Sequence, residues 1–127
     1  MKQILLIAML LLSFNVNAVW TGIAKEKGGN KHYLDLDKVS NKEGYFYFWA
    51  MVNLVKPING FMSAKVYWKA DCKLFRIMPI EYSYHFQPMA IGDPDFKVIE
   101  DTFKWSKPTV NSAQEITLKK VCDLKNN

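Results

Sequence analysis

Two cysteines, Cys72 and Cys122, are the only ones in this 127-residue chain, and their placement limits its folding more than any other feature. Cys72 lies in the stretch Lys65 to Arg76, and Cys122 lies near the far end. The chain opens like an export leader. Met1-Lys2-Gln3 gives a short basic start, Ile4 to Leu12 is an apolar run, and Val16-Asn17-Ala18 ends on a small residue suited to cleavage. The apolar run falls short of the roughly 20 residues a bilayer span needs, so a retained transmembrane anchor is the weaker reading. An even pair of cysteines in an exported chain predicts one disulfide. Closing a loop of about 50 residues contributes roughly 4 kcal/mol in the chain-entropy estimate.

Removal of residues 1–18 leaves residues 19–127, a length that predicts one domain, with half of the chain apolar and ample for a core. No cysteine stands near the cleavage point to take a lipid. The expected address is therefore exported, periplasmic or secreted, soluble, and not a lipoprotein. The formal charge is +5, and loss of Lys2 with the leader leaves about +4. The lysines are scattered singly among acids, as on a solvated surface, rather than run together as a nucleic-acid or lipid patch.

The remaining pattern reads as antiparallel sheet followed by one helix. Lys27-Gly28-Gly29-Asn30 predicts a hairpin turn between Val19–Lys25 and a strand over Lys31–Asp37. Alternation on that strand sends Leu34 and Leu36 to one face and Tyr33, Asp35 and Asp37 to the other. Ser40 to Gly44 reads as a second turn, and Tyr45 to Val52 as the central strand. Pro57 to Gly60 supplies the next turn. In Phe61 to Ala70 the even positions are apolar, while Ser63, Lys65 and Lys69 make the odd face wet. A turn near Cys72 leads into Leu74 to Phe86, where Pro79 predicts a bulge or an edge. Gln87 to Asp95 reads as a loop and Phe96 to Trp105 as a short strand.

Ser112-Ala113-Gln114-Glu115 has the capping-box form, and Ala113, Ile116, Leu118, Val121 and Cys122 make one apolar stripe. The predicted fold class is α+β: an antiparallel sheet of about six strands, with a C-terminal helix packed on one face and tethered through Cys72 and Cys122. Small residues Ala64, Ala70 and Ala50 leave room on the even face for that helix. Tyr45, Tyr47, Trp49 and Met51 occupy the other face. Their cover is left open among a curled sheet, a neighbouring subunit of a homodimer, and partial exposure as a binding surface.

These residues resemble the bacterial surface-adhesin protein E family. The resemblance rests on Tyr33-Leu34-Asp35-Leu36-Asp37-Lys38-Val39, the aromatic strand from Tyr45, Lys56-Pro57, Ser63-Ala64-Lys65, Asp71-Cys72 with Arg76, and Asn111-Ser112 leading to Val121-Cys122. It implies a sheet of about six strands with a disulfide-tethered C-terminal helix. A lipid-anchored member that binds host matrix and serum proteins gives the family its name, and this chain departs from it in lacking the lipid-attachment cysteine.

Chemistry is sparse by comparison. Asp35 and Asp37, read on one strand face, form a carboxylate pair on paper, and the plain reading is a solvated strand end. His85 near Met89 offers haem ligation only without covalent attachment, since Cys-x-x-Cys-His is absent; an exposed strand-end histidine is the plainer reading. No nucleophile elbow or phosphate loop occurs, so no catalytic residue, metal or cofactor is predicted, and the chain is read as non-enzymatic. The candidate binding surface is Tyr45, Tyr47, Trp49, Ser63, Lys65, Tyr67 and Lys69. Its expected partner is an extracellular or cell-envelope protein or glycan, not nucleic acid. A periplasmic carrier of haem or another small apolar ligand, or a structural envelope protein, is the alternative.

Overall fold

The longest strand organises the sheet. The computed structural model describes residues 18–99 and 103–124, so the expected leader, apart from Ala18, lies outside the described residues. Seven strands form one antiparallel sheet: β1 (Thr21–Lys25), β2 (Lys31–Leu34), β3 (Ser40–Lys42), β4 (Tyr45–Ile58), β5 (Phe61–Asp71), β6 (Arg76–His85) and β7 (Phe96–Ile99). Their order is β1-β2-β4-β5-β6-β7, with β3 also paired to β4. One helix, α1 (Ala113–Leu124), follows.

The expectation of strand through Asp37 and turn from Ser40 is corrected here. β2 lies against Ala50 to Asn53 and β3 against Tyr45 to Tyr47, so the two sit end to end along one edge of β4. Between them Leu36–Lys38 coils into a 3-10 turn. That turn ends the alternation after Leu34, leaving Asp35 buried and Asp37 exposed, so the two carboxylates do not share a strand face. The reversal after β3 is confined to Glu43-Gly44, both in the left-handed region at φ 55° and 86°. Glycine meets this demand without a Cβ clash.

The parity of β5 is as expected. Ala70, Trp68, Val66 and Ala64 stand opposite Phe46, Phe48, Ala50 and Val52 of β4. At β6 the register shifts, with Trp68 opposite Pro79 and Tyr67 opposite Glu81, so Ile80 is the extra residue of a bulge beside the proline. The core gathers Leu34, Phe46, Phe48, Ala70 and Ile77 against Leu118 and Val121 of α1. A narrow apolar hollow of about 90 Å³ remains between Phe48, Ala50, Val66 and Trp68 of the sheet and Gln114 and Thr117 of the helix.

The helix starts as its capping box predicts: the Glu115 amide donates to Ser112 Oγ at 3.2 Å, and Glu115 Oε1 accepts from the Asn111 amide at 3.2 Å. Thr117, Leu118 and Val121 are its buried residues, whereas Ile116 is 41% exposed and lies off the predicted stripe. Cys72 and Cys122 are bonded, with Cα atoms 5.7 Å apart.

The turn that presents Cys72 is built by one carboxylate. Asp71 Oδ1 accepts the amides of Lys73 and Leu74 at 3.1 and 3.3 Å, and Oδ2 accepts Nε–H of Arg76 at 3.0 Å. Burial acts to raise the Asp71 pKa, yet the Arg76 hydrogen bond and the turn amides outweigh it and hold the carboxyl below 3.8. The Asp-Cys pair with arginine four residues after the cysteine is thus a turn that aims Cys72 at α1. Replacing Cys122 by serine should lower unfolding free energy by about 2 to 5 kcal/mol, read as a fall in the urea midpoint. An unchanged midpoint would show that the helix docks without its tether.

Candidate functional site: a cation and aromatic face

The face of the sheet opposite α1 carries the candidate residues. Registers of β4 and β5 pair Tyr47 with Lys69, Trp49 with Tyr67 and Met51 with Lys65, placing Tyr45, Tyr47, Trp49, Lys65, Tyr67 and Lys69 on one surface. All six are half-buried. The rings lean on one another, with Trp49 and Tyr67 stacked at 4.8 Å and Tyr47 and Tyr67 tilted at 6.1 Å between centroids.

The lysines rest on those rings. Lys69 Nζ is 4.3 Å from the Tyr45 centroid and 5.8 Å from that of Tyr47, and Lys65 Nζ is 4.8 Å above Trp49. Each such contact is worth about 0.5 to 1 kcal/mol at an exposed site. Their larger effect is positional, because an ammonium seated on a ring samples fewer rotamers than one on a free stem. Trp105 closes one end of the surface, 5.7 Å from Tyr45, with the Arg76 guanidinium 4.5 Å from its centroid. At the far side Lys97 Nζ pairs with Glu81 at 2.7 Å.

Ser63 departs from the expected surface. It is fully buried beneath the Pro88–Ala90 turn, its hydroxyl donating to the Gln87 carbonyl at 2.6 Å and accepting the Ala90 amide at 2.9 Å. Asn53 Oδ1 accepts the adjacent Met89 amide at 2.8 Å. The same turn covers His85, which is therefore a buried residue and not an exposed strand end. His85 Nε2 and Ser83 Oγ share a hydrogen bond of 3.0 Å, while Nδ1 has no partner among the described residues. Ser83 is equally buried, so this contact does not present a nucleophile to a substrate.

Asp35 is the other corrected candidate. It is 1% exposed, its amide donates to the Trp49 carbonyl, and neither carboxylate oxygen has a partner among the described residues. No cluster of three or more potential metal ligands occurs among them. Sequence reasoning missed Trp105 and Arg76 as parts of this surface, because Trp105 lies in a stretch fitting neither the strand nor the helix period.

Burial lowers the His85 pKa, nearby Lys65 lowers it further, and Asp95 and the Ile91 backbone only partly oppose them. As pH falls below the ordinary 6.5, the unfolded chain binds a proton that folded His85 refuses. The stability gained by a neutral ring is therefore complete above 6.5 and is lost as pH drops toward the lowered folded pKa. Urea midpoints should decline from pH 7 to pH 5, and His85→Gln should flatten that decline; an equal slope in the variant would exclude His85 as its source. The Asp71 contribution is lost only at pH below 3.8 and does not overlap.

A helix laid on one face of an antiparallel sheet, with a cation and aromatic array on the other, defines the class of this domain. The model for surface-adhesin protein E matches residues 20–123, and the chain belongs to that family. Solved structures of Haemophilus influenzae protein E share the fold. Crystal form II is 14% identical, with a TM-score of 0.64 over 89% of this chain and 94% of that one. A second structure of H. influenzae protein E is 13% identical at TM-score 0.64, covering 87% of this chain and 88% of that chain. Protein E from non-typeable H. influenzae is 13% identical at TM-score 0.58, covering 87% and 77%. No curated protein matches the sequence.

Proposed function

We propose that this chain is an exported, non-enzymatic binding protein that engages an extracellular or cell-envelope protein or glycan through the face formed by Tyr45, Tyr47, Trp49, Lys65, Tyr67 and Lys69. The observation that carries this reading is the ordering of two ammonium groups on a bed of half-buried rings. Surfaces that recognise partners concentrate aromatic groups, and side chains already fixed lose little entropy on association. Membership of a surface-adhesin family points the same way. Removal of the leader after Ala18, with no cysteine to take a lipid, would release the domain in soluble form.

A second reading has its own observation. Beyond α1 the helix-side face continues as an apolar trough of about 630 Å³ lined by Val52, Leu54, Phe61, Ala64, Val66 and Tyr84. Its size suits a small apolar ligand, as a carrier would need. The haem version of that reading loses its ligand, since the strand registers place His85 with Ser63 on the opposite face and both are buried.

The two readings separate cleanly. Purified mature protein should capture a partner from matrix components or envelope extracts at micromolar concentration, and the pair Lys65→Glu with Lys69→Glu should weaken capture about tenfold or more. Capture unaffected by this charge reversal, or no partner at micromolar concentration, would contradict the proposal.

A further inference from the structure

At the edge of this face Trp20, Lys65, Met89, Ala90, Ile91 and Gly92 line a recess of about 560 Å³, whose one further lining residue, Ala18, would leave with the expected leader. That volume lies in the range of about 300 to 1,000 Å³ typical of small-molecule sites. Lys65 makes no ion pair among the described residues, while Glu81, the acid whose field reaches it, is already taken by Lys97.

The Met89–Gly92 part of the lining is held in an unusual conformation. Met89 and Ala90, neither of them glycine, both adopt left-handed backbone angles, at φ 61° and 53°. Such backbone conformations are strained for residues with a Cβ and persist where surroundings enforce them. Here Asn53 Oδ1 holds the Met89 amide, Ser63 Oγ the Ala90 amide and the Pro88 carbonyl the Ile91 amide. Those three amides are spent within the protein, which leaves the Lys65 ammonium as the charged donor lining the recess.

We propose that this recess binds an acidic sugar of an anionic glycan, with the pyranose against Trp20 and its carboxylate or sulfate on Lys65. An indole gives a flat apolar wall for the C–H face of a sugar ring, and an ammonium is a compact point charge suited to a single anionic group. The inference rests on the reading of this face as a binding surface, and it names the class of partner. Burial lowers the Lys65 pKa, Glu81 opposes this, and Lys38 and Lys97 lower it further. The ammonium is thus partly stripped of water, and an incoming anion would supply the counter-charge that burial withholds. Cleavage after Ala18 would also leave the Val19 ammonium near the recess, largely protonated at neutral pH.

The test is calorimetric titration of the mature protein with heparin oligosaccharides, hyaluronan oligosaccharides and neutral dextran. Hyaluronan carries carboxylate alone and heparin carries sulfate as well, so binding of both reports carboxylate and binding of heparin alone reports sulfate; binding to at least heparin, and not to dextran, is expected. Lys65→Met, which keeps most of the aliphatic stem, should weaken that binding about tenfold or more and reduce its salt dependence. Trp20→Leu should weaken it as well. Lys120→Met, at an exposed position on α1, should leave it unchanged, and circular dichroism of each variant confirms folding. Undiminished affinity in folded Lys65→Met, or equal affinity for dextran, overturns the proposal. If no glycan binds while a protein partner is captured through Lys65 and Lys69, this inference fails and the binding-protein reading stands; if neither binds, both fail.

Discussion

The fold turns on how Asp71 holds Cys72. One carboxylate closes the turn between β5 and β6 through two amides and an arginine, and that turn aims the sulfur at α1. Without the bond, a 12-residue helix would have to stay docked through Thr117, Leu118, Val121 and a few neighbours. Isolated helices of that length are marginal in water, so their stability comes from packing. Linking Cys72 to Cys122 removes much of the entropy the unfolded chain would otherwise regain. The tether thereby commits one face of the sheet to the core.

Committing that face determines what the other can do. A sheet with one helix on it has a second face that must be covered, made polar, or used. This chain does some of each: Trp105 covers one end, the Pro88–Ala90 turn covers the Ser63 and His85 end, and the middle keeps rings under lysines. The rings supply apolar area without forming a bare hydrophobic patch, because ammonium groups lie across them. Such a surface keeps its charged heads in water when alone and still offers apolar ring area beside them to a partner. Apolar area on the helix side is left over in the trough beyond α1, where a helix of this length does not reach.

How much of this was legible in the sequence depends on whether local pattern or distant contact decided the outcome. The parity of Met62 to Ala70, the bulge at Pro79, the capping box at Ser112 and the pairing of Cys72 with Cys122 follow from local chemistry or from counting, and each stands in the structure. Strand parity puts Ser63 on the correct face but is silent on its burial. Its burial comes from a turn 24 to 27 residues away, held by side chain to backbone bonds that no period reveals. The burial of His85 is hidden from the sequence in the same way. Asp35 left the alternation because β2 and β3 share one edge of β4, a fact of topology. Of the surface set, Tyr45, Tyr47, Trp49, Lys65, Tyr67 and Lys69 were readable from strand parity, while Trp20 and Trp105 join it from segments outside the central strands.

On the proposed reading the lysine-bearing face, and not the helix face, meets the partner. Lysine acylation followed by mass spectrometry, with and without a captured partner, tests it directly, because Lys65 and Lys69 lie on one side and Lys119 and Lys120 on the other. Lys65 and Lys69 should be protected in the complex, with Lys119 and Lys120 unchanged. Protection confined to Lys119 and Lys120 would contradict it.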